Sequence, residues 1–254
     1  MRLGPVTALA AAAFVSLLAN ARAAEITLIA PGGIRAAIEQ MIPGFEIATG
    51  HKVKATFGSG LGTKERVIKG ETFDVSIVQP PTDIVVASGH VMKNSERPLA
   101  SVAVGLAVRA GAPKPDISTP EAVKTVLRAA KAIAYPNAAS GAAAGVSFDQ
   151  TLARLGIADE LKPKIKIAQG GSGAMALLAK GEVDVGITFI SEIITEPGVE
   201  AVGPLPREIS TPTGLVAFLS SHTKNIEPAR ALVLYLSGEA AAKVYRERGM
   251  APGR

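Results

Sequence analysis

Residues 58–78 read GSGLGTKERVIKGETFDVSIV, and residues 171–188 read GSGAMALLAKGEVDVGIT. Each stretch begins with a Gly-Ser-Gly turn, continues as a helix that ends in Lys-Gly-Glu, and finishes as a short apolar strand after an aspartate. Glycine suits the left-handed residue that commonly ends a helix, so each Lys-Gly-Glu marks a helix end. One helix–strand unit thus occurs twice, which predicts two similar lobes. The alternative is a chance likeness, because short motifs of this kind recur in unrelated proteins.

Short runs rich in β-branched residues alternate with amphipathic helical segments along the rest of the chain. The predicted strands cover residues 26–30, 53–57, 74–79, 102–109, 132–135, 164–168, 184–190 and 214–219. The predicted helices include residues 34–49, 120–131, 146–155 and 228–236. This alternation is typical of α/β proteins, and we expect each lobe to contain a mostly parallel sheet flanked by helices.

Two proline-rich segments indicate where the chain passes from one lobe to the other. GAPKP at residues 111–115 follows a long predicted strand, and GPLP at residues 203–206 is the second such segment. Two crossings imply that one lobe is built from both ends of the chain and that the other lobe is inserted between them. We predict that the first lobe comprises residues 24–103 and 207–254, and the second lobe residues 104–206.

Residues 1–23 have the pattern of a cleaved export signal. A basic start precedes an apolar stretch, and Ala21-Arg22-Ala23 has the A-x-A form that signal peptidase recognises. The apolar stretch is short for a membrane span. We therefore expect a periplasmic protein that is not inserted in the membrane after cleavage. An uncleaved N-terminal anchor is the alternative.

The composition argues against several kinds of site. Cys is absent, which excludes disulfides, thiolate metal sites and a Cys nucleophile. The three histidines, His51, His90 and His222, do not lie at helical ligand spacing from one another. The net charge is only +5 and Trp is absent, so the chain lacks an interleaved basic and aromatic platform for nucleic acid. We expect a monomer without metal, cofactor or nucleic-acid partner.

Four glycine-rich turns each stand between a predicted strand and a predicted helix, at residues 31–33, 58–60, 137–141 and 170–173. A helix N-terminus has unpaired N–H groups and a partial positive charge, so it attracts anions. Ligands of open α/β sheets bind at these carboxyl ends of strands. Two turns from each lobe therefore predict an anion-binding cleft, although ordinary N-capping is the alternative for any single turn.

The residues in and near these turns exclude two kinds of site and add one candidate ligand contact. None of the turns continues as a phosphate-binding P-loop or has dinucleotide spacing, and residues 169–173 read QGGSG rather than the GxSxG of a hydrolase. Arg35 follows the first turn and is placed to pair with a carboxylate in a bidentate manner, with a solvated surface arginine as the alternative.

Four stretches resemble periplasmic solute-binding proteins of the molybdate-binding type: residues 26–33, 57–60, 171–177 and 185–189. The resemblance covers nearly the whole chain after the signal. It implies the two-lobed type II periplasmic binding protein fold with a ligand cleft between the lobes. Carried over by position, it implies anion contacts at Gly33, Gly60, Gly141, Gly171 and Phe189, with Gly32, Ser59, Ser140 and Ser172 as neighbouring donors.

Three positions depart from the molybdate-binding pattern. Gly33 replaces a serine of the first turn, Gly60 and Leu61 stand in the serine-rich second turn, and Phe189 replaces a tyrosine. A tetrahedral oxyanion would lose three side-chain donors. A divergent branch of the superfamily, which includes a periplasmic aconitate isomerase, is similar to this chain at residues 32–34, 108–118 and 139–141. This likeness points to a small carboxylate.

These observations predict a periplasmic binding protein that captures a small anion, a di- or tricarboxylate rather than molybdate, for an ABC-type importer. The alternative is an isomerase on the same scaffold that moves a proton along a tricarboxylate such as aconitate. The titratable candidates for that chemistry are Glu192, Asp149 and Lys64, and none has a partner pattern that marks it as catalytic. Binding is therefore preferred and no catalytic residue is assigned. A third alternative, an exported protein without a ligand, leaves the four turns unexplained.

Overall fold

The computed structural model describes residues 23–253, which form two mixed β-sheets flanked by helices. Residues 1–22 of the predicted export signal lie outside the described residues. The strands are β1 (Glu25–Pro31), β2 (Lys52–Gly58), β3 (Val75–Val78), β4 (Arg97–Val102), β5 (Val104–Arg109), β6 (Ile133–Pro136), β7 (Ile165–Ala168), β8 (Val185–Phe189), β9 (Val199–Pro204), β10 (Thr213–Leu219) and β11 (Met250–Pro252).

The helices occupy the connections between these strands. They are α1 (Arg35–Thr49), α2 (Gly60–Ile68), α3 (Asp83–Ala87), α4 (Pro120–Ala129), α5 (Ala143–Leu155), α6 (Ala158–Leu161), α7 (Gly170–Ala179), α8 (Ile190–Ile193), α9 (Ile226–Leu236) and α10 (Glu239–Glu247). The side chain of Thr119 caps α4 by accepting a hydrogen bond from the Ala122 N–H, and Pro120 occupies the first helical position. Among the helices of residues 23–253, none is both long and apolar enough to span a bilayer.

The first sheet has the strand order β11-β4-β10-β3-β1-β2, and the second sheet has the order β7-β6-β8-β5-β9. We call the first sheet with α1–α3, α9 and α10 lobe I, and the second sheet with α4–α8 lobe II. The two-lobed fold class is as the sequence predicts. The division into residues 24–103, 104–206 and 207–254 stays a prediction about the folding units of the chain.

The sheets contain more antiparallel pairs than expected. β1, β2 and β3 pair in parallel in lobe I, but β10 runs antiparallel to both β3 and β4. In lobe II, β5 runs antiparallel to β8 and β9. Parallel neighbours need a crossover helix, whereas β5 and β10 follow the crossings between the lobes and so enter their sheets from the opposite direction.

The strand predicted over residues 102–109 is in fact two strands that belong to different sheets. β4 ends at Val102 in lobe I, and β5 begins at Val104 in lobe II. Between them the carbonyl of Ala103 accepts a hydrogen bond from the Ile190 N–H, which ties the crossing to the start of α8. A nearly continuous apolar run hides this change of sheet, because Val102 and Val104 on either side of the crossing are both buried.

The repeated helix–strand unit takes the same place in each lobe. Gly70 and Gly181 follow α2 and α7 with φ angles of 80° and 73°, as expected for left-handed helix ends. Asp74 and Asp184 then precede β3 and β8. The Asp74 carboxylate accepts the Thr27 N–H of β1, and the Asp184 carboxylate accepts N–H groups just before β6. Each aspartate therefore joins its strand to the parallel neighbour, which is a structural role.

Candidate functional site

A cavity of about 690 Å³ lies where the carboxyl ends of the strands of both lobes meet. Nine of the ten residues that the sequence predicts as ligand contacts line this cleft, namely Gly32, Gly33, Arg35, Ser59, Gly60, Ser140, Gly171, Ser172 and Phe189. Further lining residues from both lobes include Gln79, Ala142, Ala143, Ala144 and Glu192. The volume falls within the range of about 300–1,000 Å³ that is usual for organic ligands.

Three helices, α2, α5 and α7, begin at the cleft. Ser59 caps α2 by accepting the Gly62 N–H at 3.1 Å, and Gly60 is the first residue of that helix. The residue before α7, Gln169, makes no side-chain cap, so the first N–H groups of α7 are left for water or a ligand. The start of α5 likewise has no side-chain cap. These termini provide positive potential without a formal charge.

Gly141 was expected to donate its N–H to an anion, but the structure uses this N–H elsewhere. It does not line the cleft, and its N–H already donates to the Ala138 carbonyl at 2.9 Å. Its own carbonyl accepts the N–H of Leu61 at 3.1 Å, which makes a hydrogen bond between the two lobes. Helix α5 begins at Ala143, and the alanines at its start face the cleft instead. Alanine carries no polar side chain, so nothing in the sequence marks this helix start.

Gly33 and Phe189 fit together across the cleft. A Cβ atom on residue 33 would stand 2.8 Å from Cδ2 of the Phe189 ring, which is closer than packed carbon atoms approach. The buried hydroxyl of Ser191 also donates to the Gly33 carbonyl at 2.7 Å. A side chain at position 33 would therefore require the Phe189 ring or the first turn to shift.

Arg35 lies at the mouth of the cleft with its side chain about half exposed. Its guanidinium stacks 4.7 Å from the centre of the Phe57 ring and lies 3.9 Å from Glu39. The stacking restrains a long side chain while leaving its N–H groups in reach of the cleft. A bidentate contact between Arg35 and a ligand carboxylate stays a prediction.

Glu192 is the acidic residue among those that line the cleft. Burial raises the pKa of its carboxyl, and this effect outweighs the hydrogen bonds from Thr188 and the Phe189 backbone and the charge of Arg35, which all lower the pKa. The carboxyl group stands between the lobes, because a Cβ on Gly32 would lie 3.6 Å from one of its oxygens and a Cβ on Gly171 2.3 Å from the other. An anion bound here meets a carboxyl group that holds its proton more tightly than usual.

The other two titratable candidates lie away from the cleft lining. Asp149 accepts a hydrogen bond from the Tyr135 hydroxyl at 2.6 Å, and Lys64 donates to the Pro81 carbonyl at 3.0 Å. Burial also lowers the pKa of Lys64. Of the three residues considered from the sequence, Glu192 alone lines the cleft with the glycine-rich turns.

The described part of the chain contains no group of three or more His, Asp or Glu side chains placed to hold a metal ion. His90 and His222 are close, with Nδ1 of the first 2.9 Å from Nε2 of the second. Both lie at the surface of lobe I on loops outside the cleft.

The chain is similar over most of its length to proteins that bind anions. The family model described as bacterial extracellular solute-binding protein matches residues 26–251. An aconitate isomerase from a Pseudomonas species is 33% identical, with 98% of this chain and 96% of that protein covered. The molybdate-binding protein ModA of Azotobacter vinelandii is 28% identical, with 92% of both chains covered. A solved structure of a periplasmic molybdate-binding protein from Azotobacter vinelandii superimposes with a TM-score of 0.74 at 20% identity, covering 89% of this chain and 98% of that one.

Proposed function

The chain belongs to the bacterial extracellular solute-binding protein family, and on that premise we propose that its cleft captures a small di- or tricarboxylate. One observation carries the choice of ligand: Gly33 and Phe189, which have no side-chain hydroxyl, line a cleft of about 690 Å³. A tetrahedral oxyanion leaves much of such a volume unfilled, whereas a branched carboxylate spans it. Helix N-termini and Arg35 then replace water around the separate carboxylates.

We further propose that the protein works in the periplasm and passes its ligand to an ABC-type permease. Support comes from the family and from the export signal predicted over residues 1–23. Closure of the two lobes around the ligand creates the surface that a permease recognises. We expect the protein to act as a monomer.

A thermal-shift panel tests the ligand class. Succinate, citrate, tricarballylate and the two aconitates are compared with molybdate and tungstate. A ligand at a hundredfold excess over its Kd adds about 2.7 kcal/mol to the free energy of unfolding, so we expect a carboxylate to raise Tm by roughly 5–11 °C. A comparable rise with molybdate and none with any carboxylate would overturn the proposed ligand class.

Isomerisation of a bound tricarboxylate is the second candidate function, and the position of Glu192 favours it. Its carboxyl stands against Gly32 and Gly171 at the anion-binding turns, and burial raises its pKa. When its carboxyl group is deprotonated, a glutamate with a raised pKa is a stronger base and accepts a proton more readily. In aconitate, Glu192 would remove a proton from the methylene carbon, the double bond would shift by one position, and the proton would return to the former alkene carbon. The proton count is unchanged and no cofactor is consumed.

Incubation with cis-aconitate, followed by chromatography, distinguishes the two functions. If the protein is an isomerase, trans-aconitate accumulates, and Glu192→Gln reduces turnover by at least about 100-fold because the amide cannot carry the proton. The uncharged and similarly shaped glutamine should retain tricarballylate binding. Glu208→Gln, at an exposed acid outside the cleft lining, serves as the control with unchanged turnover. Absence of turnover in the wild-type protein rejects the isomerase and leaves capture alone.

A further inference from the structure

Within residues 23–253, three buried side-chain polar atoms have no hydrogen-bond partner: Ser76 Oγ, Gln79 Nε2 and Ser210 Oγ. Gln79 alone among them lines the cleft. Gln79 as a whole is only 6% exposed. A buried donor without an acceptor costs free energy, and a native protein that keeps one at a ligand cleft needs a reason for it.

The position of Gln79 explains how its amide is held. The residue directly follows β3, at the carboxyl end of the sheet where ligands of such folds bind. A Cβ on Gly60 would stand 2.2 Å from Gln79 Oε1 and 3.0 Å from the Cβ of Ala143. The amide therefore packs against the first residue of α2, which itself abuts the first residue of α5. Any side chain at position 60 would displace the glutamine.

We propose that the Gln79 amide, together with the N-termini of α2 and α5, forms a subsite for one carboxylate of the ligand. The proposal rests on the proposed function and specifies its ligand further. Rotation about the last side-chain bond exchanges the two amide atoms, so the NH₂ group can be turned toward the cleft. No charged residue belongs to this group of neighbours, and the donors approach from both lobes.

The ligand needs a second polar group at the other end of the cleft. Glu192 stands against Gly32 and Gly171, whereas Gln79 stands against Gly60. Arg35 and Glu192 are the charged residues among those that line the cleft. A molecule that contacts both ends therefore carries at least two carboxylates, or a carboxylate and a hydroxyl, which excludes monocarboxylates as full ligands.

Gln79→Leu tests the subsite by removing both polar atoms at nearly constant volume. Titration calorimetry with tricarballylate, which has no double bond to isomerise, should show a ten- to hundredfold weaker Kd, because a hydrogen bond to a charged group is lost. Gln79→Glu keeps the shape, places a negative charge against the carboxylate and should abolish binding. Gln150→Leu, at an exposed position of α5 outside the cleft lining, provides the matched control with an unchanged Kd.

The stability of the ligand-free variant separates a ligand contact from a structural role. Because Gln79→Leu removes an unpaired buried donor, Tm without ligand should stay the same or rise by about 2–4 °C. A weaker Kd combined with an unchanged or higher Tm supports the subsite. An unchanged Kd, or a lower Tm without ligand, overturns it while the proposed function stands. Failure of the wild-type protein to bind any carboxylate overturns the proposed function and the subsite with it.

Discussion

Replacement of Gly171 by alanine is expected to weaken carboxylate binding more than 100-fold while the fold is retained. The added Cβ would lie 2.3 Å from Glu192 Oε2 and 2.5 Å from Thr188 Oγ1. Thr188 is fully buried in β8 and has no space to retreat, so Glu192 must move. The displaced carboxyl then enters the cleft volume that the ligand needs, and the hydrogen bond between Thr188 and Glu192 is lost. One added methyl group therefore removes both space for the ligand and the hydrogen bond between Thr188 and Glu192.

Gly173→Ala is the matched control for this experiment. It lies two residues later in α7, and its added Cβ would meet nothing closer than 3.7 Å. Gly173→Ala gains helix propensity without a close contact and should not lower Tm without ligand, whereas the close contacts of Gly171→Ala should lower its Tm. Calorimetric titration with tricarballylate measures the difference in Kd. Equal affinities for the two variants would show that the start of α7 is not part of the ligand site.

Gly145→Ala should destabilise the protein by about 3 kcal/mol, although alanine is the better helix former. A Cβ on this residue of α5 would stand 2.1 Å from the Pro136 carbonyl oxygen and 2.9 Å from the Ala138 backbone nitrogen. Both neighbours are backbone atoms, so no change of rotamer relieves the contact. Helix α5 must then move away from β6 and from the cleft to which it contributes its first turn.

Urea unfolding of the ligand-free protein measures this effect, together with a fall in Tm of about 6–12 °C. Gly173→Ala again provides the comparison, because it has the same propensity gain without the steric conflict. A Gly145→Ala protein as stable as the control would mean that α5 does not pack against the end of β6 as described.

The repeated helix–strand unit was predictable from sequence because the interactions that define it are local. A glycine that ends a helix needs only its own backbone angle, as Gly70 and Gly181 demonstrate. The alternation of apolar strands and amphipathic helices likewise depends only on which face of each single element is buried. The two-lobed α/β class and the glycine-rich turns at the carboxyl ends of strands follow from such short-range patterns.

The change of sheet at Ala103 could not be read from the same patterns. Val102 at the end of β4 and Val104 at the start of β5 are both buried, and the change of sheet between them shows only in the pairing partners of the two strands. Those partners, β10 and β8, lie far away in the chain. The antiparallel pairs of both sheets were missed for the same reason.

The sequence by itself therefore determined the fold class and the positions of the glycine-rich turns. The tertiary structure alone decided which residues line the cleft. It brought Glu192, rather than Asp149 or Lys64, to the cleft. It paired the Gly141 N–H with the Ala138 carbonyl of the same turn. It also left the Gln79 amide nitrogen buried without a hydrogen-bond partner. The physical reason is that a helix cap or a periodic pattern is satisfied within a few residues, whereas burial, a raised pKa and an unpaired donor depend on atoms contributed by distant segments of both lobes.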